Sequence, residues 1–197
     1  MRGLSVVMRT RILLIFLALG MALPATAASP DAKVTAQQSV APSDKKDVLF
    51  IDLKYGRILI KMHPELAPKH VARVKQLASQ GFYNGLPWFR VIDGFMAQTG
   101  SPYGGGGSGQ LIPAEINAGP TTRGAVFMSH GKDINSADSQ FFILLADSPH
   151  IKGNFTYWGE VISGMNVVDQ IPKGNAFENG AVPIPDRIIK MGLLSNE

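Results

Sequence analysis

The chain has 197 residues, enough for one domain with extensions, and its 45% hydrophobic and 17% charged content excludes a disordered polypeptide. The formal net charge is +4, but Arg2, Arg9 and Arg11 all lie in residues 1–27, which hold no acid; without those three the remainder carries +1 and has no general pull on nucleic acid. There is no cysteine, which excludes disulfides, thiolate metal sites, a cysteine nucleophile and a lipid-anchored lipoprotein.

In chain order, Arg9 and Arg11 precede the apolar run Ile12–Leu23, and Pro24 leads into Ala25-Thr26-Ala27. This is a basic segment, a short apolar segment and an A-x-A cleavage site, read as a secretory signal peptide cleaved after Ala27. Twelve helical residues span about 18 Å, short of the ~30 Å hydrocarbon core, so no stable membrane insertion is expected after cleavage. The pattern looks bacterial, which makes the periplasm the expected destination. Residues 28–46 are rich in Ala, Ser, Pro, Gln and Lys without apolar periodicity and read as a flexible linker. The domain is expected over 47–197.

Val48–Lys54 and Arg57–Met62 flank Tyr55-Gly56 as a β-hairpin. Pro68 opens a helix whose Val71, Val74, Leu77 and Ala78 share one face, with Gly81 as its stop and His70 expected on the exposed face. Trp88–Ile92 and Phe95–Thr99 flank the turn signal Asp93-Gly94. Further strands are expected at Ile112–Ile116, Ala125–His130, Gln140–Leu145, Tyr157–Val161 and Arg187–Leu194, with a short helix at Met165–Ile171. The 21 glycines and 13 prolines agree with many turns. About eight short strands and two helices suggest a closed antiparallel sheet, although periodicity alone does not separate a barrel from a sandwich.

Several motifs lead nowhere. Gly104, Gly106 and Gly109 match G-x-G-x-x-G, but Pro113 follows and no helix starts there, so the segment reads as a mobile surface loop. His63, His70, His130 and His150 share no metal-ligand spacing. Ser139, His130 and Asp133 lack a nucleophile elbow. Asn154-Phe155-Thr156 fits a glycosylation pattern of little weight in a bacterial export product. No metal and no cofactor is expected.

The informative segments are Trp88–Gly100 and Ser139-Gln140-Phe141-Phe142-Ile143. Alternation places Arg90 with Trp88 and Ile92 on one strand face, and the turn returns Gln98 beside it. Spacing alone leaves two readings open: a cationic donor and two amides beside an apolar patch, or a barrel core with a surface salt bridge at Arg90.

F-x-V-I-x-G-F-M-x-Q-x-G from Phe89 and S-Q-F-F-I from Ser139 resemble the cyclophilin family of prolyl isomerases. So do Ala67-Pro68, Gly81-Phe82-Tyr83, Arg123-Gly124-Ala125-Val126 with Met128, and Tyr157-Trp158-Gly159-Glu160-Val161, and the resemblance runs over about Val48–Leu194. It implies an eight-stranded antiparallel closed β-barrel capped by two α-helices. It also implies a peptidyl-prolyl cis-trans isomerase acting on proline-containing polypeptides, here to assist the folding of exported proteins; a monomer is the default expectation. The essential arginine falls on Arg90, and the proline pocket on Phe95, Met96, Phe142 and Ile151. Gln98 and Gln140 take the peptide-contacting glutamines, and Ser129 and His130 the backbone contacts. Four positions depart from the family pattern. Phe89 stands for a histidine, His130 for an asparagine, His150 for a tryptophan and Phe155 for a histidine at the pocket wall. The loop Gly131–Asp138 is one residue longer than usual. The tryptophan supports cyclosporin binding, so His150 implies weak drug sensitivity. The altered rim motivates one competing reading, a binding module with negligible turnover. A small-ligand carrier with a large internal cavity is another.

Overall fold

The computed structural model describes residues 42–197, so the expected signal peptide and most of the expected linker lie outside the described residues. Pro42–Asp47, at the end of the expected linker, forms a 3-10 turn, and Lys75 pairs with Asp47 at 2.6 Å. Eight strands follow: β1 (Val48–Leu53), β2 (Gly56–Met62), β3 (Arg90–Ile92), β4 (Met96–Thr99), β5 (Ala125–Met128), β6 (Phe141–Leu144), β7 (Tyr157–Ser163) and β8 (Lys190–Leu193). The two helices are α1 (Pro68–Ser79) and α2 (Met165–Val168). None of the helices among the described residues is long and apolar enough to cross a membrane.

The strands form one antiparallel sheet in the order β3-β4-β6-β5-β7-β2-β1-β8. Its two faces carry two separate apolar clusters, because side chains alternate across a pleated strand. Val91, Ala97, Val126, Met128, Phe141 and Ile143 face the larger cluster, which also takes in α1. Phe141 lies at its centre, edge-on to Tyr83 (5.7 Å between centroids), Trp88 (6.2 Å) and Trp158 (5.5 Å). These rings fill the place where a carrier would need its cavity. Met96, Phe127, Phe142 and Leu144 belong to the second, outer cluster.

Four expectations are corrected. The sheet curls into a half-barrel but its ladder does not close: β3 and β8 are its ends. Among the described residues the gap is spanned by the isolated bridge Pro87–Arg187, by backbone bonds such as Trp88 N–H to Asp186 O (2.9 Å) and by Arg187 Nη1 to Gly85 O (2.8 Å). The free edge of β3 is taken instead by residues 174–182, through Val91 N–H to Gly180 O and Gly174 N–H to Val91 O (both 2.8 Å). Pro183 and Pro185 follow, and proline cannot donate to a ladder. Second, Ile112–Ile116 makes only the bridge Ile112–Ala137. Pro113 interrupts it, and side chains take its amides: Asn135 Oδ1 accepts from Ala114 and Thr156 Oγ1 from Glu115. Third, Trp88 does not share the face of Arg90, since the segment before β3 is irregular and its indole turns into the core.

Fourth, His70 is fully buried rather than exposed. Its spacing to Val74 and Leu77 continues the apolar stripe of α1. The Glu115 carboxylate meets its ring Nδ1 at 2.7 Å and accepts the backbone N–H groups of Lys69 and His70 at 3.0 Å. Ala67 supplies no side-chain cap, so this distant carboxylate caps the first turn of α1.

Candidate active site

The β3–β4 hairpin pairs Arg90 with Gln98, β4 pairs Gln98 with Phe142, and β6 pairs Phe142 with Phe127. These four residues therefore form one row across four strands on the outer face. The next row is Ile92, Met96 and Leu144. A polar end and an apolar end of one surface thus arise from register alone.

At the polar end the contacts are specific. Arg90 Nη1 donates to Gln98 Oε1 at 3.1 Å, and Gln98 Nε2 donates to Ser129 Oγ (3.1 Å) and Gln140 Oε1 (3.0 Å). Gln140 Nε2 donates onward to Gly106 O at 2.6 Å. Arg90 also donates through Nε to Asn179 O (2.9 Å) and through Nη2 to Asn179 Oδ1 (2.8 Å). Every one of these acceptors is neutral. Among the described residues Arg90 pairs with no carboxylate, so the surface salt bridge left open by the spacing is not formed. Burial pulls its pKa below the ordinary value, but a guanidinium remains protonated.

At the apolar end Phe142 stacks on Phe127 (5.6 Å) and meets Phe155 edge-on (5.2 Å). Met96 and Ile151 are buried in the same cluster, with Phe95 and Phe155 packed against it half-exposed. His150 is exposed and packs on Phe95 at 5.1 Å, and His130 stacks on Phe155 at 4.7 Å. Both His130 ring nitrogens face carbonyl oxygens at 2.8 Å, those of Gly131 and Asn154. All eleven residues expected at the site thus lie on one face of the sheet or on its rim. A cleft of about 690 Å³ opens over Arg90, Gln98, Ser129, His130 and Gln140.

The family model described as cyclophilin type peptidyl-prolyl cis-trans isomerase/CLD matches residues 48–193. The chain belongs to this cyclophilin family. A probable peptidyl-prolyl cis-trans isomerase of Brucella suis is 43% identical over 180 residues, covering 84% of this chain and 92% of that protein. Peptidyl-prolyl cis-trans isomerase B of Bacillus subtilis is 40% identical over 128 residues, covering 62% of this chain and 88% of that protein. The crystal structure of cyclophilin AquaCyp293 from Hirschia baltica shares the fold, with a TM-score of 0.70 at 21% identity over 78% of this chain and 76% of that one. A Cryptosporidium parvum cyclophilin, solved in the presence of the dipeptide Ala-Pro, superposes with a TM-score of 0.67 at 24% identity over 74% of this chain and 98% of that one. The protein is accordingly an enzyme with peptidyl-prolyl cis-trans isomerase activity.

Cyclophilin motifs did not point to every residue around the cleft. The glycine-rich segment is an exposed surface loop that also forms one wall of the cleft, with Gly104, Gly106, Gly107 and Gly109 lining it. Ser101 Oγ donates to Gly105 O (2.9 Å), and Gly109 N–H to Asp138 Oδ2 (2.7 Å). Ser108 Oγ donates to the other Asp138 oxygen and accepts from Arg73 Nη2 on α1 at 2.5 Å. A Cβ at Gly107 would fall 2.5 Å from Asp138 Oδ2, so a side chain there would have to displace the carboxylate of that latch. Asn179, also on the cleft, was missed as well; its one sequence signal is the Asn-Gly turn pair it forms with Gly180. Ser139 Oγ donates to Gly100 O while His130 faces Gly131 and Asn154, which disposes of the Ser139–His130–Asp133 triad.

Proposed function

We propose that this cleft accelerates rotation about Xaa–Pro bonds in extended polypeptides, with Arg90 as the catalytic donor. The observation that carries the reading is the unneutralised guanidinium of Arg90, held by neutral acceptors beside the Phe142 patch. Resonance sets a barrier of ~18–20 kcal/mol to rotation about a peptide bond. When an Xaa–Pro amide twists, the prolyl nitrogen leaves conjugation and gains a lone pair. A fixed N–H donor stabilises that twisted state more than either planar one, which is what acceleration requires. Of the five N–H groups of a guanidinium, Asn179 and Gln98 engage three. One donor remains on each Nη.

The substrate's proline ring sits on Met96, Phe142 and Ile151, where it displaces water and lets the donor act at low dielectric. Phe95 and Phe155 form the walls, with His150 at the outer edge. Gln98, Gln140, Ser129 and His130 hold the flanking backbone while the other side of the bond turns. The Ala-Pro dipeptide of the Cryptosporidium parvum structure is a ligand of the chemistry this surface would take. No bond is broken, so the residues needed are donors and an apolar seat.

The arginine-led apolar segment and Ala25-Thr26-Ala27 support export to the periplasm, with cleavage near Ala27 and clients among exported proteins. The working form is a monomer. Phe142→Ala tests the seat: an Ala-Pro peptide titrated into the variant should bind at least several-fold more weakly than to the parent. Equal affinity would move the proline elsewhere.

A further inference from the structure

Asn179 is the sole non-glycine residue with a left-handed backbone among the described residues (φ 54°, ψ 34°). Side chains other than Asn and Asp rarely adopt that region, and a residue held there at a cleft is a reason to ask what the conformation does. It follows the short 3-10 turn Ala176–Glu178 in a loop seated on the free edge of β3. The loop is tightly built. Gly180 N–H donates to Asn175 O (2.8 Å), Asn175 N–H donates to Ala181 O (3.0 Å), and Asn175 Oδ1 accepts from Phe177 N–H (2.9 Å). Both ends are tied to Val91, the neighbour of Arg90, and a Cβ at Gly174 would overlap the Gly180 carbonyl.

The left-handed turn lets one residue present two acceptors in the same direction. Its main-chain oxygen takes Arg90 Nε–H and its side-chain Oδ1 takes an Nη2 hydrogen. Gln98 takes an Nη1 hydrogen from the other side. Three bonds, two of them from Asn179, therefore set the plane of the guanidinium; with Gln98 alone the group could swing about its last torsions. Asparagine also suits the charge. An aspartate would offer the same two acceptors but neutralise the cation, and a glycine would keep the turn but lose Oδ1.

We propose that Asn179 is a positioning residue for Arg90, which fixes the guanidinium plane from the β3-edge loop and, by being neutral, leaves its charge for the twisting amide. This rests on the reading of Arg90 as the catalytic donor.

The test uses the full chain with Asn179→Gly, Asn179→Asp and Arg90→Ala in parallel. Turnover of an Xaa-Pro peptide, peptide affinity by separate titration and melting temperature are measured for each, and the Arg90 Nε–H resonance for the parent and the two Asn179 variants. Asn179→Gly should keep its melting temperature and peptide affinity and lose about 10- to 100-fold in kcat, the scale of a misplaced catalytic contact, while the Nε–H resonance broadens or shifts. Asn179→Asp should keep a sharp Nε–H resonance and still lose turnover, because the carboxylate takes up the charge. Parental kcat in Asn179→Gly, or a loss matched by weaker peptide binding or a lower melting temperature, overturns the proposal while leaving Arg90 in place. Parental turnover in Asn179→Asp overturns the part that depends on neutrality. Full activity in Arg90→Ala overturns both this proposal and the reading of Arg90.

Discussion

Phe141 and Phe142 are neighbours on β6, both nearly without solvent exposure, yet they belong to different regions of the molecule. Phe141 points inward, where Tyr83, Trp88 and Trp158 surround it edge-on. Phe142 points outward, with Phe127 and Phe155 on one side and Gln98, and through it Arg90, on the other. The inner region is closed on itself, and the outer one stops short of closure. Its apolar patch adjoins a cation whose hydrogen-bonding capacity is only partly used. A single strand thus serves stability with one parity and peptide chemistry with the other.

The same contrast separates the two charged constellations. Glu115 is saturated: burial raises its pKa, but the bonds from the His70 ring and from the His70 and Lys69 amides outweigh that and hold it below the ordinary value. Burial likewise lowers the pKa of His70 and keeps its ring neutral, against the opposing pull of Glu115. Arg90 has no such partner.

The sharpest way to break the contrast is at Phe141. Phe141→Ala should destabilise the fold by about 3–5 kcal/mol, since it leaves a cavity inside a closed cluster, while the molecules that remain folded bind peptide as before. Denaturant unfolding and peptide titration would check both halves. Phe142→Ala also removes a buried ring, but one on the outer face beside the half-exposed Phe155, so its stability cost should be smaller than that of Phe141→Ala, with the loss of peptide affinity as its main effect. Equal stability losses and equal affinity losses in the two variants would erase the distinction between the faces.

The smallest effect concerns Glu115, and it sharpens the comparison through pH. Both folded-state pKa values in the His70–Glu115 pair are depressed, from ordinary values of 6.5 and 4.5, so the unfolded chain binds protons first as pH falls. Their stabilisation is present above those values. It should decline below pH 6.5 as unfolded-state His70 protonates, and again below 4.5 through Glu115. Glu115→Gln should flatten the lower part of this profile and cost about 1 kcal/mol near neutral pH, the value of a lost helix cap. A melting-temperature profile that keeps its full acid slope in the variant would assign the slope to other groups.

The strand positions of the outer face could be read from alternation, because β3 and β4 are joined by a short turn that fixes their register: Arg90 opposite Gln98 follows from the two segments and Asp93-Gly94. The pocket roles needed the family resemblance, since hydrophobic spacing does not distinguish a proline seat from a core. Trp88 was misplaced because alternation fails where the strand has not yet begun. His70 was misplaced because its polarity outweighed a spacing that already put it on the buried stripe, and its partner Glu115 lies 45 residues away. Closure of the barrel was over-read for a similar reason: the segment that covers β3 arrives from residues 174–182 and carries no strand periodicity. Asn179 comes from that same segment, 89 residues from the side chain it holds.

The central claim is that Arg90 acts on the twisting amide and does not merely hold the sheet together. Catalysed cis-to-trans relaxation of a short Xaa-Pro peptide, followed for the parent and for Arg90→Ala at matched folded concentration, tests it most directly. Loss of one preorganised donor should lower kcat/KM by an amount on the order of 2.7–4 kcal/mol, about 10²–10³-fold, with the melting temperature unchanged. A correctly folded Arg90→Ala protein that turns over peptide at the parental rate would contradict the account.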